Sequence, residues 1–201
     1  FNFNKQKLNN LSINIIIPDT DINYFNDKFL EMLVKINIIP DNIHLYVINN
    51  YLIDECFINT NCVKGGNHLL NIGNFSRLII GHLIDINKIL YLDADTIIQT
   101  DLSKCIDKFD KKNFDVCGTK SPLTYKNILN CNNYDKTYEL LGKNFNINNN
   151  VIYTGTLFIN PNSLKKHYTN IKNIVNFHNK QKGGLYKLFT MSIINLCFWN
   201  K

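Results

Sequence analysis

The run Lys88-Ile89-Leu90-Tyr91-Leu92 leads straight into Asp93-Ala94-Asp95, and the chain then turns apolar again at Ile97 and Ile98. A short unbroken apolar run reads as a strand covered on both faces. If the strand continues through the acidic pair, Asp93 and Asp95 point the same way with α-carbons about 7 Å apart. Two like charges at that distance repel by roughly 2–3 kcal/mol at an effective dielectric near 20. Something positive is needed to hold them at a strand end. Carboxylate oxygens suit a hard divalent ion, Mg²⁺ or Mn²⁺, which can bridge to a phosphate. The competing reading is an exposed acidic turn or a helix N-cap pair.

The flanking segments alternate between strand-like and helix-like patterns. Ser12 to Ile17 is β-branched and stops at Pro18; Phe25, Phe29, Met32, Leu33 and Ile36 form one helical stripe; His44 to Ile48 is a second strand. Asn74 offers a cap to a helix with Phe75, Leu78, Ile79, His82 and Leu83 on one face, which makes His82 a core histidine. Strands are expected at 114–119 and 151–160, a helix starting near Ser163, and another at 186–198. The order implies an α/β fold with a mixed, mostly parallel sheet covered by helices, and ligands then bind beyond the carboxyl ends of strands. Residues 1–201 read as a single domain. Segment 121–150 is polar and Asn-rich, either a functional loop or lid or a tolerated insertion.

Composition narrows the partners. Of 201 residues 45% are hydrophobic and 19% charged, enough for a sizeable core. No apolar run approaches the roughly 18 residues of a membrane span. The net charge of +6 comes from scattered lysines and reads as solubility, so no nucleic-acid partner is expected. The six cysteines form no CxxC pair, which disfavours zinc. Cys117 and Cys197 look buried, and reduced thiols suggest a cytoplasmic protein, in a host cytoplasm if the A/T-rich coding bias is viral. The first residue is Phe1, so the chain is processed, trimmed or a fragment.

The stretch FSRLIIGHLIDINKILYLDADTIIQTDLSKC (75–105) resembles the core of glycosyltransferase family 8, the glycogenin-like enzymes. Matching features are Arg77 on a helix, the strand Ile89 to Leu92, the DxD pair Asp93 and Asp95, and Asp101-Leu102. SINIIIPDTD and VIYTGTLFIN resemble two further strands of that family, with 121–150 unmatched. The resemblance implies a Rossmann-like nucleotide-diphosphosugar transferase fold of the GT-A type, a UDP-sugar donor, Mn²⁺ (or Mg²⁺), and transfer with retention of configuration. It implies UDP-glucose first and UDP-galactose second as donor, and a protein or glycan acceptor. Catalytic roles fall on Asp93, Asp95 and Arg77. Asp93 and Asp95 take the metal. Donor contacts are implied for Asp19, Arg77, Asp93, Ala94, Asp95 and Gly155, and 121–150 becomes an acceptor-side loop or lid. Oligomeric state stays open, a homodimer included. Taken by itself, Arg77 lies off the apolar stripe and reads as a non-core residue.

Three departures set the alternatives. Tyr153-Thr154-Gly155 stands where the family has Asn-Ser/Ala-Gly. Thr190-Met191-Ser192-Ile193-Ile194-Asn195 stands where it has Asp-Gln-x-x-x-Asn. The chain stops at Lys201 before the family's His-x-x-Gly-x-x-Lys segment, so either it lacks its C-terminal portion or its metal site is incomplete. A catalytically impaired UDP-sugar-binding scaffold of the same fold is the second hypothesis. A two-metal nucleotidyltransferase is the third, and it lacks a phosphate-binding glycine loop.

Overall fold

The computed structural model of the protein describes residues 12–31, 43–49, 52, 53, 57, 72–99, 107–109 and 114–199. The chain divides into two compact units, Phe1–Leu52 and Ile53–Lys201. In the first, β1 (Ile13–Pro18) pairs in parallel with β2 (Ile43–Ile48), in register from Ile13 opposite Ile43 to Pro18 opposite Ile48. The β-branched residues favour extension, and Ile17 and Ile48 are the buried members of the pair. A parallel pair needs a crossover of a dozen or more residues. The crossover begins with a 3₁₀ turn (Asp19–Asp21), a helical turn (Ile22–Tyr24) and a π-helical stretch (Phe25–Leu30). The rest of the expected stripe, Met32, Leu33 and Ile36, lies outside the described residues, as do Cys56, Cys62, Asp101 and Leu102.

The second unit holds α1 (Ile72–Leu83), β3 (Ile89–Leu92), β4 (Val116–Thr124), α2 (Tyr134–Leu141), β5 (Asn150–Ile159), α3 (Pro161–Lys180) and α4 (Phe189–Cys197). Its sheet has the order β3-β5-β4, with both pairings antiparallel. The fold is thus mixed α/β, and the parallel pairing among the described residues is that of β1 with β2. The strand that carries the acidic pair is antiparallel to its neighbour, and its four residues are each half-buried rather than covered on both faces.

Burial follows the sequence pattern on β5: Leu157 and Ile159 alternate inward with the half-buried Thr156 and Phe158. Helices α1 and α3 cross closely at Gly81, where an added Cβ would run into the carbonyl of Pro161. Aromatic rings tie the helices together: Phe75 meets Phe57 at 5.8 Å and Phe189 at 4.8 Å between centroids. Such pairs contribute about 0.5–1.5 kcal/mol each beyond their burial.

Several local expectations shift. Helix α1 begins at Ile72, so Asn74 lies inside it rather than capping it. Helix α3 begins at Pro161, two residues before Ser163, because Asn160 accepts from the Asn162 amide and proline needs no helical hydrogen bond there. Ser163 instead donates to Asp115. His82 is exposed at the α1–α3 surface, its ring edge-on to Tyr168 at 4.7 Å; burial and Lys165 lower its pKa. Cys117 is half-buried, while Cys197 is buried as expected.

Segment 121–150 is built rather than bare. Thr124 and Asn127 form a capping box for the one-turn helix Tyr125–Ile128. Tyr125, Ile128, Leu129 and Phe145 are buried, with Phe145 edge-on to Tyr125 at 4.7 Å and to Trp199 at 5.4 Å. No helix among the described residues is long and apolar enough to cross a membrane.

Candidate functional site

Strand β3 ends at Leu92, and the acidic pair is a turn: the Thr96 amide donates to the Asp93 carbonyl at 3.0 Å, with Ala94 and Asp95 at its corner. The two carboxylates are therefore not same-side neighbours on an extended strand. The strand period operates one step earlier. Tyr91 and Asp93 share a face, and the Tyr91 hydroxyl donates to Asp93 Oδ1 at 2.8 Å. The Asp93 amide donates to the Gly155 carbonyl at 2.9 Å, which anchors the turn to β5.

Arg77 supplies the positive charge that Asp93 needs. Its Nη2 donates to Asp93 Oδ1 at 2.9 Å and to Asn74 Oδ1 at 3.3 Å. Its Nη1 donates to the Thr154 carbonyl at 3.1 Å and to Thr154 Oγ1 at 3.2 Å. The guanidinium also lies over the Tyr91 ring, 5.0 Å from its centroid. Arg77 is 6% exposed, so the expectation that it stands outside the core is wrong. A residue off the apolar stripe can still be buried when the sheet edge beside it offers polar partners. Burial, above all, pushes the Tyr91 hydroxyl up to about 12, with Arg77 opposing and Asp93 adding to the rise.

The Thr154 carbonyl is available because β5 bulges. Gly118 of β4 faces Leu157 and Lys120 faces Ile152, so two residues on β4 span a stretch of β5 more than twice as long. Residues 153–156 leave the β4 ladder while Thr156 stays paired with Leu92 of β3. The amide of Asn195 holds the near end of the bulge: Oδ1 accepts from the Ile152 amide at 2.7 Å and Nδ2 donates to the Ile152 carbonyl at 2.9 Å. Asn195, which stands at the Asn of the family's Asp-Gln-x-x-x-Asn pattern, is buried and acts as a substitute strand partner. Thr190 is buried as well.

Gly155 needs its missing side chain. A Cβ there would lie 2.7 Å from Asp93 Oδ2 and 2.6–2.7 Å from the ring edge and hydroxyl of Tyr153. Asp93 is one-quarter exposed, and Ala94 and Asp95 are exposed. Asp93 Oδ1 accepts from two donors, and among the described residues no hydrogen bond reaches Oδ2. Arg77, Asp93, Ala94, Asp95 and Gly155 are thus gathered at one end of the antiparallel sheet. Asp19 is exposed on the 3₁₀ turn after β1, in the other unit. Sequence reasoning missed Tyr91 and Thr154 as partners of this cluster. The i, i+2 period signals Tyr91, whereas Thr154 enters only through the bulge.

One arginine against two carboxylates leaves the cluster with a net negative charge. The open oxygens are Asp93 Oδ2 and those of Asp95, a donor set that fits part of the shell of a hard divalent cation. Among the described residues no group of three or more His, Cys, Asp or Glu side chains converges into a ready-made cage. Beside the bulge, Gly118, Lys120, Asn148, Asn149, Asn150, Val151 and Ile152 line an open groove of about 420 Å³.

Comparison with known proteins adds to this geometry. The family model for glycosyl transferase family 8 matches residues 3–201. Among solved structures the chain is similar to the galactosyltransferase LgtC, determined in complex with donor and acceptor sugar analogues. The identity is 16%, the match covers 94% of this chain and 70% of that one, and the TM-score is 0.56. At this identity the likeness concerns the fold, of the GT-A type. No curated protein sequence matches the chain.

Proposed function

The chain belongs to glycosyl transferase family 8, and from that membership together with the Asp93 cluster we propose a retaining, divalent-metal-dependent hexosyltransferase using a UDP-sugar. The donor is UDP-glucose first and UDP-galactose second, and the acceptor a protein or glycan. The observation that carries this reading is the Arg77–Asp93 pair. Arg77, joined by the Tyr91 hydroxyl, fixes one carboxylate oxygen and leaves Oδ2 and Asp95 at the sheet end for a ligand.

In this reading Asp93 and Asp95 hold Mn²⁺ or Mg²⁺, which, when bound, neutralises the charge developing on the departing diphosphate. Arg77 orients Asp93 and ties it to β5 through Thr154. Gly155, having no side chain, lets Asp93 Oδ2 and the Tyr153 ring lie close against the β5 backbone. The groove beside Lys120, with Asn148 to Asn150 as one wall, is the acceptor cleft, which gives segment 121–150 its acceptor-side role.

A second reading, a catalytically impaired UDP-sugar-binding scaffold, draws on the buried Thr190 and on Asn195, which is engaged with the Ile152 backbone. Metal-dependent release of UDP separates the two: turnover supports the transferase, binding without turnover the scaffold. The metal assignment is tested by calorimetry. Asp95→Asn should abolish Mn²⁺-dependent UDP binding while leaving the thermal midpoint in EDTA unchanged or raised, since a repulsive charge is removed from the apo site. A folded variant that keeps full metal dependence would overturn it.

A further inference from the structure

We propose that the outer face of α3, with the loop that follows it, is a docking surface for an anionic lipid bilayer. The inference stands apart from the transferase reading and begins with where the charges fall. All 16 acidic residues lie between Asp19 and Glu139. The remaining 62 residues, 140–201, carry eight lysines and no acid, whereas residues 1–139 set 14 Lys and Arg against those 16 acids. The net charge of +6 is therefore +8 in the last third of the chain and −2 in the rest. Lysines that look scattered along the sequence are segregated from the acids, and such asymmetry points to a polyanionic partner.

The fold gathers part of this excess on one face. Helix α3 contains no acidic residue, and burial of Leu164, Ile171, Ile174 and Val175 turns Lys165, Lys166 and Lys180 to solvent. At 3.6 residues per turn these three lysines fall within about 100° of arc and span about 22 Å along the axis. Between them on that face stand Thr169, Asn173 and Asn176, all exposed and uncharged. Asp115, at the start of the helix, is occupied by the Ser163 hydroxyl. The loop past α3 extends the row on a fixed support. Asn130 Nδ2 donates to the carbonyls of Gly183 at 2.8 Å and Gly184 at 3.1 Å, and Asn133 Nδ2 to those of Lys182 at 3.1 Å and Gly184 at 2.6 Å. These bonds engage the loop backbone and leave the Lys182 side chain exposed. A row of like charges along a helix complements an extended anionic plane better than it does a pocket-sized ligand. Residues 140–201 hold no arginine, whose fork grips nucleic-acid phosphates and base edges, and the outer face offers no aromatic ring for a base to stack on. Lysine ammonium groups on long stems suit lipid headgroups, and each one near an anionic surface strengthens binding about 5-fold.

The experiment is co-sedimentation with phosphatidylcholine vesicles, with or without about one-third phosphatidylserine, at about 50 mM and about 500 mM salt. The parent chain should bind the anionic vesicles at low salt, leave them at high salt and ignore the neutral ones. A variant combining Lys165→Gln, Lys166→Gln and Lys180→Gln should bind about 100-fold more weakly, three such losses compounded. A control combining Lys28→Gln, Lys108→Gln and Lys126→Gln removes the same charge from other exposed positions. It should stay within about 3-fold of the parent, because charges more than a Debye length from the bilayer are screened. All six side chains are exposed, so both variants should fold, and circular dichroism checks this. Equal weakening of the two variants would overturn the proposal by making net charge, not this face, the source of attraction. Equal binding to neutral vesicles, or no binding to anionic ones, would overturn it too. Binding to a polyuridylate strand without binding to vesicles would overturn it in favour of nucleic acid.

Discussion

Replacing Arg77 by methionine keeps the aliphatic stem and removes every polar contact the guanidinium makes. Asp93 then loses its ionic partner. Breaking a fully buried pair costs about 3–5 kcal/mol, and the one-quarter exposure of Asp93 reduces that share to about 2–3 kcal/mol through solvent screening. The Thr154 carbonyl, released from the β4 ladder by the bulge, loses its Nη1 donor. An orphaned buried acceptor costs about 1–3 kcal/mol. Arg77→Met should therefore destabilise the protein by about 3–6 kcal/mol. Asp93→Asn keeps an oxygen for Tyr91 but leaves Arg77 a buried cation facing a neutral amide, at a cost of about 2–3 kcal/mol. In the double variant neither charge is stranded, so its loss should fall short of the sum by about 1.5–3 kcal/mol. Urea denaturation of the four proteins, followed by circular dichroism, measures this coupling. Additivity within about 0.5 kcal/mol would show that the 2.9 Å pair carries no mutual stabilisation.

Gly155→Ala should cost about 1–3 kcal/mol, because the new methyl must displace Asp93 Oδ2 or Tyr153. It should also abolish Mn²⁺-dependent UDP binding, and a variant with parental melting and UDP affinity would refute the close approach. Asn195→Ala removes both partners of the Ile152 backbone and should lower stability by about 2–4 kcal/mol, read from the urea midpoint. Alkaline pH should destabilise the chain: burial raises Tyr91 to about 12 and raises Tyr125 further, so the folded state retains protons that the unfolded state releases near pH 10. Their stabilisation is complete below about pH 10 and declines above it by up to about 1.4 kcal/mol per pH unit for each tyrosine. Tyr125→Phe should flatten urea midpoints measured between pH 9 and 11, and an unchanged slope would count against the burial.

The elements legible in the sequence are those whose local pattern and tertiary setting agree. The β-branched run of β1, the apolar β3, the 20-residue α3 and the amphipathic α1 all appear within a few residues of their expected bounds. The acidic pair was legible as a site because an apolar strand ran into it, yet its geometry was not. A turn hydrogen bond from Thr96 depends on how β3 leaves the sheet, and no periodicity encodes that. Arg77 was legible as a partner of the pair but not as a buried residue, since its acceptors on Thr154 exist only because β5 bulges. Asn195 matches the last residue of the family's Asp-Gln-x-x-x-Asn pattern in sequence, but its bonding to the Ile152 backbone depends on a strand 43 residues away and no local pattern encodes it. Segment 121–150 concealed its core in four scattered residues, too few to set up a period.

The β5 bulge is pinned at both ends by contacts that do not involve its own exposed side chains. Asn195 grips Ile152 through backbone atoms alone, and beyond Gly155 the chain rejoins β3 through the ladder. Evolution can therefore exchange the residue at 153 without renegotiating the scaffold, as a key blank is recut while its shank stays the same.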